Sequence, residues 1–290
     1  MDYLTIVILA MFGLPIVKRT FTEIAKGKNI IAKVPFYGPI KNLPSSHSFT
    51  TPDGLYKNLS YIRKDRRIKG LVFDINSPGG DANASQQVYE IIKEIKLPKV
   101  ALVNGVCASG AYMAACACDE IVATEFSLIG SIGAIMKKYV FSDFMAKHGL
   151  SVEIIKSGKN KDFFSSHRNF SEDEVKMLTE LVDNLHSKFV DLVYTSRQGK
   201  IKLNKLQEFA TGKITDSDSA KRLGLIDYIG SNDVAVNCCE TLGGFKASYV
   251  QPLIERKSLF SKLSSSLGYN IGKSLAEKVS EIYYDNIKLN

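Results

Sequence analysis

The stretch Val103 to Ile121, V-N-G-V-C-A-S-G-A-Y-M-A-A-C-A-C-D-E-I, constrains the fold of this chain more than any other. The apolar run before it, Lys99 to Val103, has the length and β-branched content of a buried strand. The pattern predicts that this strand breaks at Asn104-Gly105, after which almost every residue is small until Tyr112. Small side chains let backbones approach closely, as a reactive group on a strand-to-helix turn requires. Ser109 stands where such a helix would begin, with unpaired backbone N–H groups beside it. Taken alone, Ser109 fits an ordinary N-cap as well as it fits a nucleophile. The rest of the chain has to decide.

Strand, glycine turn and helix recur along the chain. Asn29 to Ile40 reads as a strand, Asp53 to Arg67 as a helix, and Gly70 to Ile75 as a second buried strand closed by Asn76-Ser-Pro-Gly-Gly80. Ala84, Val88, Ile91, Ile92 and Ile95 mark one face of the next helix. This repetition argues for a layered α/β domain. Further on, Glu120 to Ala123 and Ser151 to Lys156 read as strands, and Phe141 to His148 as a short helix. Ser171-Glu-Asp-Glu174 is a capping-box start for a long helix to about Thr195. Its stripe of Met177, Leu178, Leu181, Leu185, Phe189, Leu192 and Val193 suits a core or a subunit interface. Lys213 to Gly230 carries the last helix and strand of the pattern. The chain thus divides into an apolar N-terminal segment (1–28), a central domain (29–245) and a basic, partly ordered tail (246–290).

Composition removes several function classes. The net charge of +8 comes from scattered lysines, without the arginine-rich helix or aromatic-basic interleaving of a nucleic-acid binder. The five cysteines show neither a disulfide framework nor zinc spacing with histidines. Cys107 is the one rival nucleophile to Ser109, and no histidine in sequence stands near to activate it. No Walker loop, dinucleotide fingerprint or metal cluster is visible, so neither a cofactor nor a metal is expected. Tyr3 to Val17 is apolar apart from Thr5. As a helix rising ~1.5 Å per residue it falls short of a ~30 Å bilayer core, so it reads as a short anchor, an uncleaved signal or an amphiphilic arm.

The glycine-bearing turns Asn76–Gly80 and Ala108-Ser-Gly-Ala-Tyr112 can together place N–H groups around one point, as a tetrahedral oxyanion needs. They are followed by Ile129-Gly-Ser-Ile-Gly-Ala134, Ser157-Gly-Lys-Asn-Lys-Asp162 and Gly224-Leu-Ile-Asp227. In this order and spacing, the set resembles the signal peptide peptidase A family of serine peptidases, within the wider Clp-protease and crotonase-like superfamily. The resemblance runs from about Ile30 to Ile229. It implies a layered crotonase- and Clp-protease-like α/β fold of repeated β-β-α units, with one long helix for packing or assembly. It also implies a Ser–Lys dyad, with Ser109 as nucleophile and Lys161 as general base, and an oxyanion hole at Gly79, Gly80 and Gly110. Ala111 stands where the family's common form has a second glycine, a departure that touches the pocket rather than the nucleophile.

A lysine base is chemically sound where burial beside apolar groups favours the neutral amine. Lys159 and Lys156 are neighbouring alternatives to Lys161. A histidine base has four candidates, His47, His148, His167 and His186, none in a motif, with His167 the nearest in sequence. The family reading implies cleavage of signal peptides or other short apolar membrane-derived peptides. It further implies a homo-oligomer in which neighbouring subunits can share a site. The family places such a protein at the bacterial inner membrane with its catalytic domain outside the cytoplasm. Lys18, Arg19, Lys26 and Lys28 argue instead for the cytoplasmic side. The rival class is a non-catalytic scaffold of the same fold that binds peptides or partner proteins; an acyl-CoA enzyme is a third reading, disfavoured by the paired Ser and Lys motifs.

Overall fold

The computed structural model describes residues 28–44 and 47–253. The apolar N-terminal run and most of the basic tail lie outside these described residues. β2 (Ile68–Ser77) and β3 (Lys99–Ala108) form the centre of a sheet in the order β6-β5-β3-β2-β1-β8. Here β1 is Ile30–Tyr37, β5 Leu128–Gly130, β6 Ile214–Thr215 and β8 Tyr249–Pro252. β4 (Glu120–Ala123) pairs with β3 and with β7 (Tyr228–Ile229). All pairings are parallel except β5 with β6. Parallel strands covered on both faces read as continuous apolar runs, which is what Leu71-Val72-Phe73 and Val100 to Val103 show.

The two faces are sorted by strand periodicity. One carries Phe73, Ala101 and Val103 into a large core with α1 (Pro52–Ile62), α2 (Ala82–Lys93) and α3 (Gly110–Ala115). The other carries Ile31, Val72, Val100 and Leu102 against Ala235 and Cys239 of α8 (Asn232–Gly243). This is the layered Clp-protease-like α/β fold. Among the described residues, no helix is long and apolar enough to cross a membrane.

Three expectations need correction. β3 does not stop at Asn104-Gly105: Gly105 bends at φ 124°, and the side chain of Asn76 accepts the Val106 N–H at 3.1 Å. The pairing with β2 shifts register there, so the glycine makes an irregularity inside a continuous strand rather than an end. Below it β3 pairs with β4, and above it with β5. Ser151 to Lys156 is not a strand; all six residues are exposed, with no ladder partner to satisfy their backbone. Finally, α8 and β8 follow the supposed last strand, and β8 extends the sheet beside β1 from within the stretch read as tail.

Candidate active site

The turn at the end of β3 is built by close packing. Ala108 pairs with Gly130 on β5, and the Ser109 N–H donates to the Gly130 carbonyl at 2.8 Å. Ser109 itself has φ 53° and ψ −125°, and its hydroxyl makes no capping hydrogen bond to the helix it precedes. An ordinary N-cap serine has extended backbone and caps with its side chain. The N-cap explanation of Ser109 therefore fails. A non-glycine residue at positive φ stores strain of ~1–3 kcal/mol and persists only where its surroundings hold it. Here they do. Gly110, Ala111 and Tyr112 are buried, and the Tyr112 hydroxyl donates to the Leu225 carbonyl at 2.7 Å.

The predicted oxyanion glycines lie against this turn and have separate reasons to be glycine. A Cβ on Gly79 (φ 84°) would lie 2.6 Å from the Ala108 carbonyl oxygen and 2.7 Å from the Gly110 nitrogen. Gly79 is thus the residue that lets the two turns touch. A Cβ on Gly80 would strike the backbone of Ile40, with which Gly80 forms an isolated bridge. On Gly110 it would strike the Ser85 hydroxyl on α2, so glycine is what seats α3 against α2. As the first residue of its helix, Gly110 has an N–H without an intrahelical acceptor. The Gly80 N–H has no acceptor among the described residues either.

Ser109 opens into a cleft of about 610 Å³. Pro78 and Gly80 line one side, Ser131, Gly133, Ala134 and Ile135 another, and Val182, Asp183 and His186 of the long helix α5 (Glu172–Ser196) a third. Of these, Ser131 and Asp183 had no role assigned from sequence, and His186 was one of four candidate histidines without a motif. Ser131 shares the positive φ of Ser109, at 52°; its position inside the Ile129–Ala134 motif was the available signal. His186 and Asp183 stand three apart on α5, and that spacing on an amphipathic helix was the signal for them. His167, the histidine nearest in sequence to the predicted base, is exposed and lies outside the cleft, so His186 replaces it as the relevant imidazole. Cys107 is fully buried, and burial pushes its thiol well above the usual range, which removes it as a nucleophile.

Lys161 lies elsewhere. Its residue is exposed in the turn following Gly158, to whose carbonyl its N–H donates at 3.1 Å, and it does not line the Ser109 cleft. Lys159 pairs with Asp173 at 2.7 Å, which holds its ammonium charged. Lys156 pairs with Asp162 at 2.6 Å. Lys161 makes no ion pair among the described residues. The turn is clamped by Arg168, which forks onto Asp162 (3.1 and 3.0 Å) and onto Glu174 (2.8 and 2.7 Å). Arg168 and then Lys156 hold the Asp162 carboxyl well below the usual carboxylate range. Arg168 and then the Ser171 N–H hold Glu174 at about 2. Glu174 is also the reciprocal partner of Ser171 in the expected capping box.

Asp227 of the Gly224–Asp227 segment is structural. It receives Arg197 at 2.8 and 2.9 Å and the Ile121 N–H at 2.8 Å. Burial alone would raise its pKa, but the Arg197 bonds override this and keep it well below the usual range. Among the described residues no cluster of side chains could hold a metal ion.

The chain as a whole is similar to known proteases. The profile of Peptidase family S49 matches residues 91–246, and that of Clp protease matches residues 43–127. A protein carrying a provisional protease name in Methanocaldococcus jannaschii is 35% identical over 80% of this chain and 74% of its own length. One carrying a provisional signal peptide peptidase SppA name in Enterococcus faecium is 31% identical over 77% of this chain and 66% of its own. In fold, the chain is similar to a solved mutant of a membrane-bound stomatin-specific protease, with a TM-score of 0.51 and 14% identity. That likeness covers 79% of this chain and 99% of the other.

Proposed function

The chain belongs to peptidase family S49, and from that premise we propose that this serine peptidase uses Ser109 as its nucleophile and Lys161 as its general base. The observation that carries the reading is the Ser109 turn. A strained backbone presents an uncapped hydroxyl on a turn packed against the Gly79-Gly80 turn, and the N–H groups of Gly110 and Gly80 are open. Attack of Oγ on a peptide carbonyl would put the developing oxyanion on those donors. The base takes the hydroxyl proton and returns it to the leaving amine, leaving an ester on Ser109. Water, deprotonated by the same base, then hydrolyses the ester and regenerates the serine.

Lys161 is favoured over its neighbours because Lys156 and Lys159 are already engaged by carboxylates. Its distance from the cleft within one chain favours a site completed by a second copy. From Gly133 to Phe170 no residue is buried, and Ile135, Tyr139, Phe144 and Ile155 present apolar side chains to solvent. So do Leu181 and Leu185 of the long-helix stripe. Soluble monomers rarely leave large apolar patches exposed, and a neighbouring subunit laid over this arm, residues 133–170, would cover its apolar side chains. Ala134, Ile135, Val182 and Ala210 in the cleft suit short apolar peptides. Cleaved signal peptides are the natural class, in line with the name of the Enterococcus relative. The apolar N-terminal run supports work at a membrane.

One observation favours a second reading: His186 and Asp183 line the Ser109 cleft and Lys161 does not. An imidazole-driven reaction reaches its plateau by about pH 7, whereas an amine-driven one keeps rising above it. Fluorophosphonate labelling first separates enzyme from scaffold, because only a reactive Ser109 is modified. Ser109→Ala and Lys161→Ala should each lower turnover by about ten-thousand-fold or more. Co-expression of the two variants should restore part of the activity if subunits share sites. Near-normal turnover by Lys161→Ala, with loss in His186→Ala and a plateau at neutral pH, would transfer the role of base to His186.

A further inference from the structure

A second hollow, of about 770 Å³, lies at the opposite end of the sheet from Ser109, where β2 begins and α1 and α2 end. Its floor is apolar, formed by Leu59, Ile62, Ile68, Leu71 and Ile95. Its rim is basic. Arg63, Arg66, Lys69 and Lys96 are exposed around it, and none of them makes an ion pair among the described residues. Of the two rim carboxylates, Asp65 is occupied by the Arg67 fork at 2.9 and 2.7 Å, which leaves Glu94 against four cations. Unpaired like charges around an apolar floor repel one another and are relieved when an anionic surface covers them.

The course of the chain identifies that surface. The Ile30 N–H donates to the Arg67 carbonyl at 2.8 Å and Ile30 pairs with Ile68, so β1 starts beside this rim. The residues before it carry the apolar run Tyr3 to Val17, then Lys18, Arg19, Lys26 and Lys28. That segment repeats the charge of the rim and cannot complement it. Both instead suit one partner, since an apolar run favours hydrocarbon and flanking cations favour anionic headgroups. We propose that this face docks on an anionic bilayer surface. Lipid phosphates would lie on Arg63, Arg66, Lys69 and Lys96, with glycerol and acyl carbon over the apolar floor. The ten-residue β2 separates this face from the Ser109 end, so docking holds the cleft about 30 Å from the headgroups. The inference rests on the membrane placement proposed above and not on the catalytic chemistry.

The test uses the full chain on phosphatidylglycerol–phosphatidylcholine vesicles and on pure phosphatidylcholine vesicles. Wild type should prefer the anionic vesicles, and residues 63–69 and 94–97 should gain hydrogen-exchange protection on those vesicles alone. Arg63→Gln/Arg66→Gln/Lys69→Gln/Lys96→Gln should lose that preference, by about fivefold for each charge at low salt. Its residual binding to neutral vesicles reports the N-terminal segment, and fluorophosphonate labelling of Ser109 reports the fold and the peptidase reading separately. Should the fourfold variant fail to label, the double variant Arg66→Gln/Lys96→Gln carries the same measurement. Equal lipid preference in wild type and variant, or no protection of the two segments, overturns the proposal. Binding of polyglutamate without any lipid preference overturns it in favour of an acidic protein partner.

Discussion

The turn that carries Ser109 and the turn that carries Lys161 belong to one series of motifs but are held by different forces. Around Ser109 everything is packing. Cys107 and Ala108 before it and Gly110 to Tyr112 after it are buried, and Gly79 touches it backbone to backbone. Around Lys161 the chain is exposed, and the restraint is charge, the double fork of Arg168 onto Asp162 and Glu174. Packed contacts hold a strained turn at any pH and salt concentration that leave the fold intact. Charged contacts at the surface yield to both. A nucleophile that must be preorganised sits in the first setting. If, as proposed, Lys161 meets Ser109 across an interface, the second setting can serve it, because a partner subunit would supply the missing burial.

The largest expected effect tests how far the packed region depends on its buried charges. Arg197 is buried and gives Asp227 both guanidinium bonds, while its Nε–H donates to the Gly224 carbonyl at 3.0 Å. Arg197→Ala leaves the Asp227 carboxylate buried without its main partner, a change that typically costs about 3–5 kcal/mol. Urea unfolding should show that loss. Ile155→Ser, on a fully exposed side chain of the arm, should leave the midpoint where it was. Equal effects from the two substitutions would break the distinction between body and arm.

Gly79→Ala comes next and acts on rate. The new methyl would press on the Ala108 carbonyl and on the Gly110 nitrogen, at a backbone φ of 84° that disfavours a side chain. It would misplace the open Gly110 N–H group proposed to hold the oxyanion. Loss of one such donor costs about a hundred- to a thousandfold in turnover. Steady-state kinetics on a short apolar peptide measures it. An unchanged rate in a folded Gly79→Ala protein would remove Gly110 from the oxyanion hole.

The same contrast explains what could be seen in the sequence. The packed turns at Ser109 and Gly79-Gly80 were legible as turns because packing leaves a local signature: apolar strands, then small residues where backbones meet. The capping box at Ser171 was legible for the same reason, since its partners are three residues apart. Gly105 misled because glycine marks a strand irregularity as readily as a strand end. Ser151 to Lys156 misled because its apolar pattern implied a ladder partner that it does not find among the described residues. The spacing of Asp183 and His186 puts both on one face of α5, but only the tertiary packing of that helix decides that the face lines the cleft.

The smallest expected effect is confined to the arm. Glu174 titrates at about 2 in the folded chain, held down first by Arg168 and then by the Ser171 N–H, against about 4.3 for a free glutamate. A carboxyl whose pKa is depressed on folding contributes stability above its unfolded value and loses it as pH falls through the folded value. The Glu174 half of the Arg168 clamp is therefore intact from neutrality down to about pH 5, weakens below about 4.3 and is released near 2, while the Asp162 half persists to lower pH. Hydrogen exchange in residues 157–170 should follow that course while β2 and β3 stay protected for as long as the body is folded. Arg168→Met should loosen the same residues already at neutral pH, with little change in global unfolding. It should lower peptide turnover by less than Lys161→Ala does, because the proposed base would be displaced and not removed. High salt should reproduce part of the effect in wild type. If Arg168→Met leaves both the exchange of residues 157–170 and the rate unchanged, the arm is held by something other than charge, and the contrast between the two turns collapses.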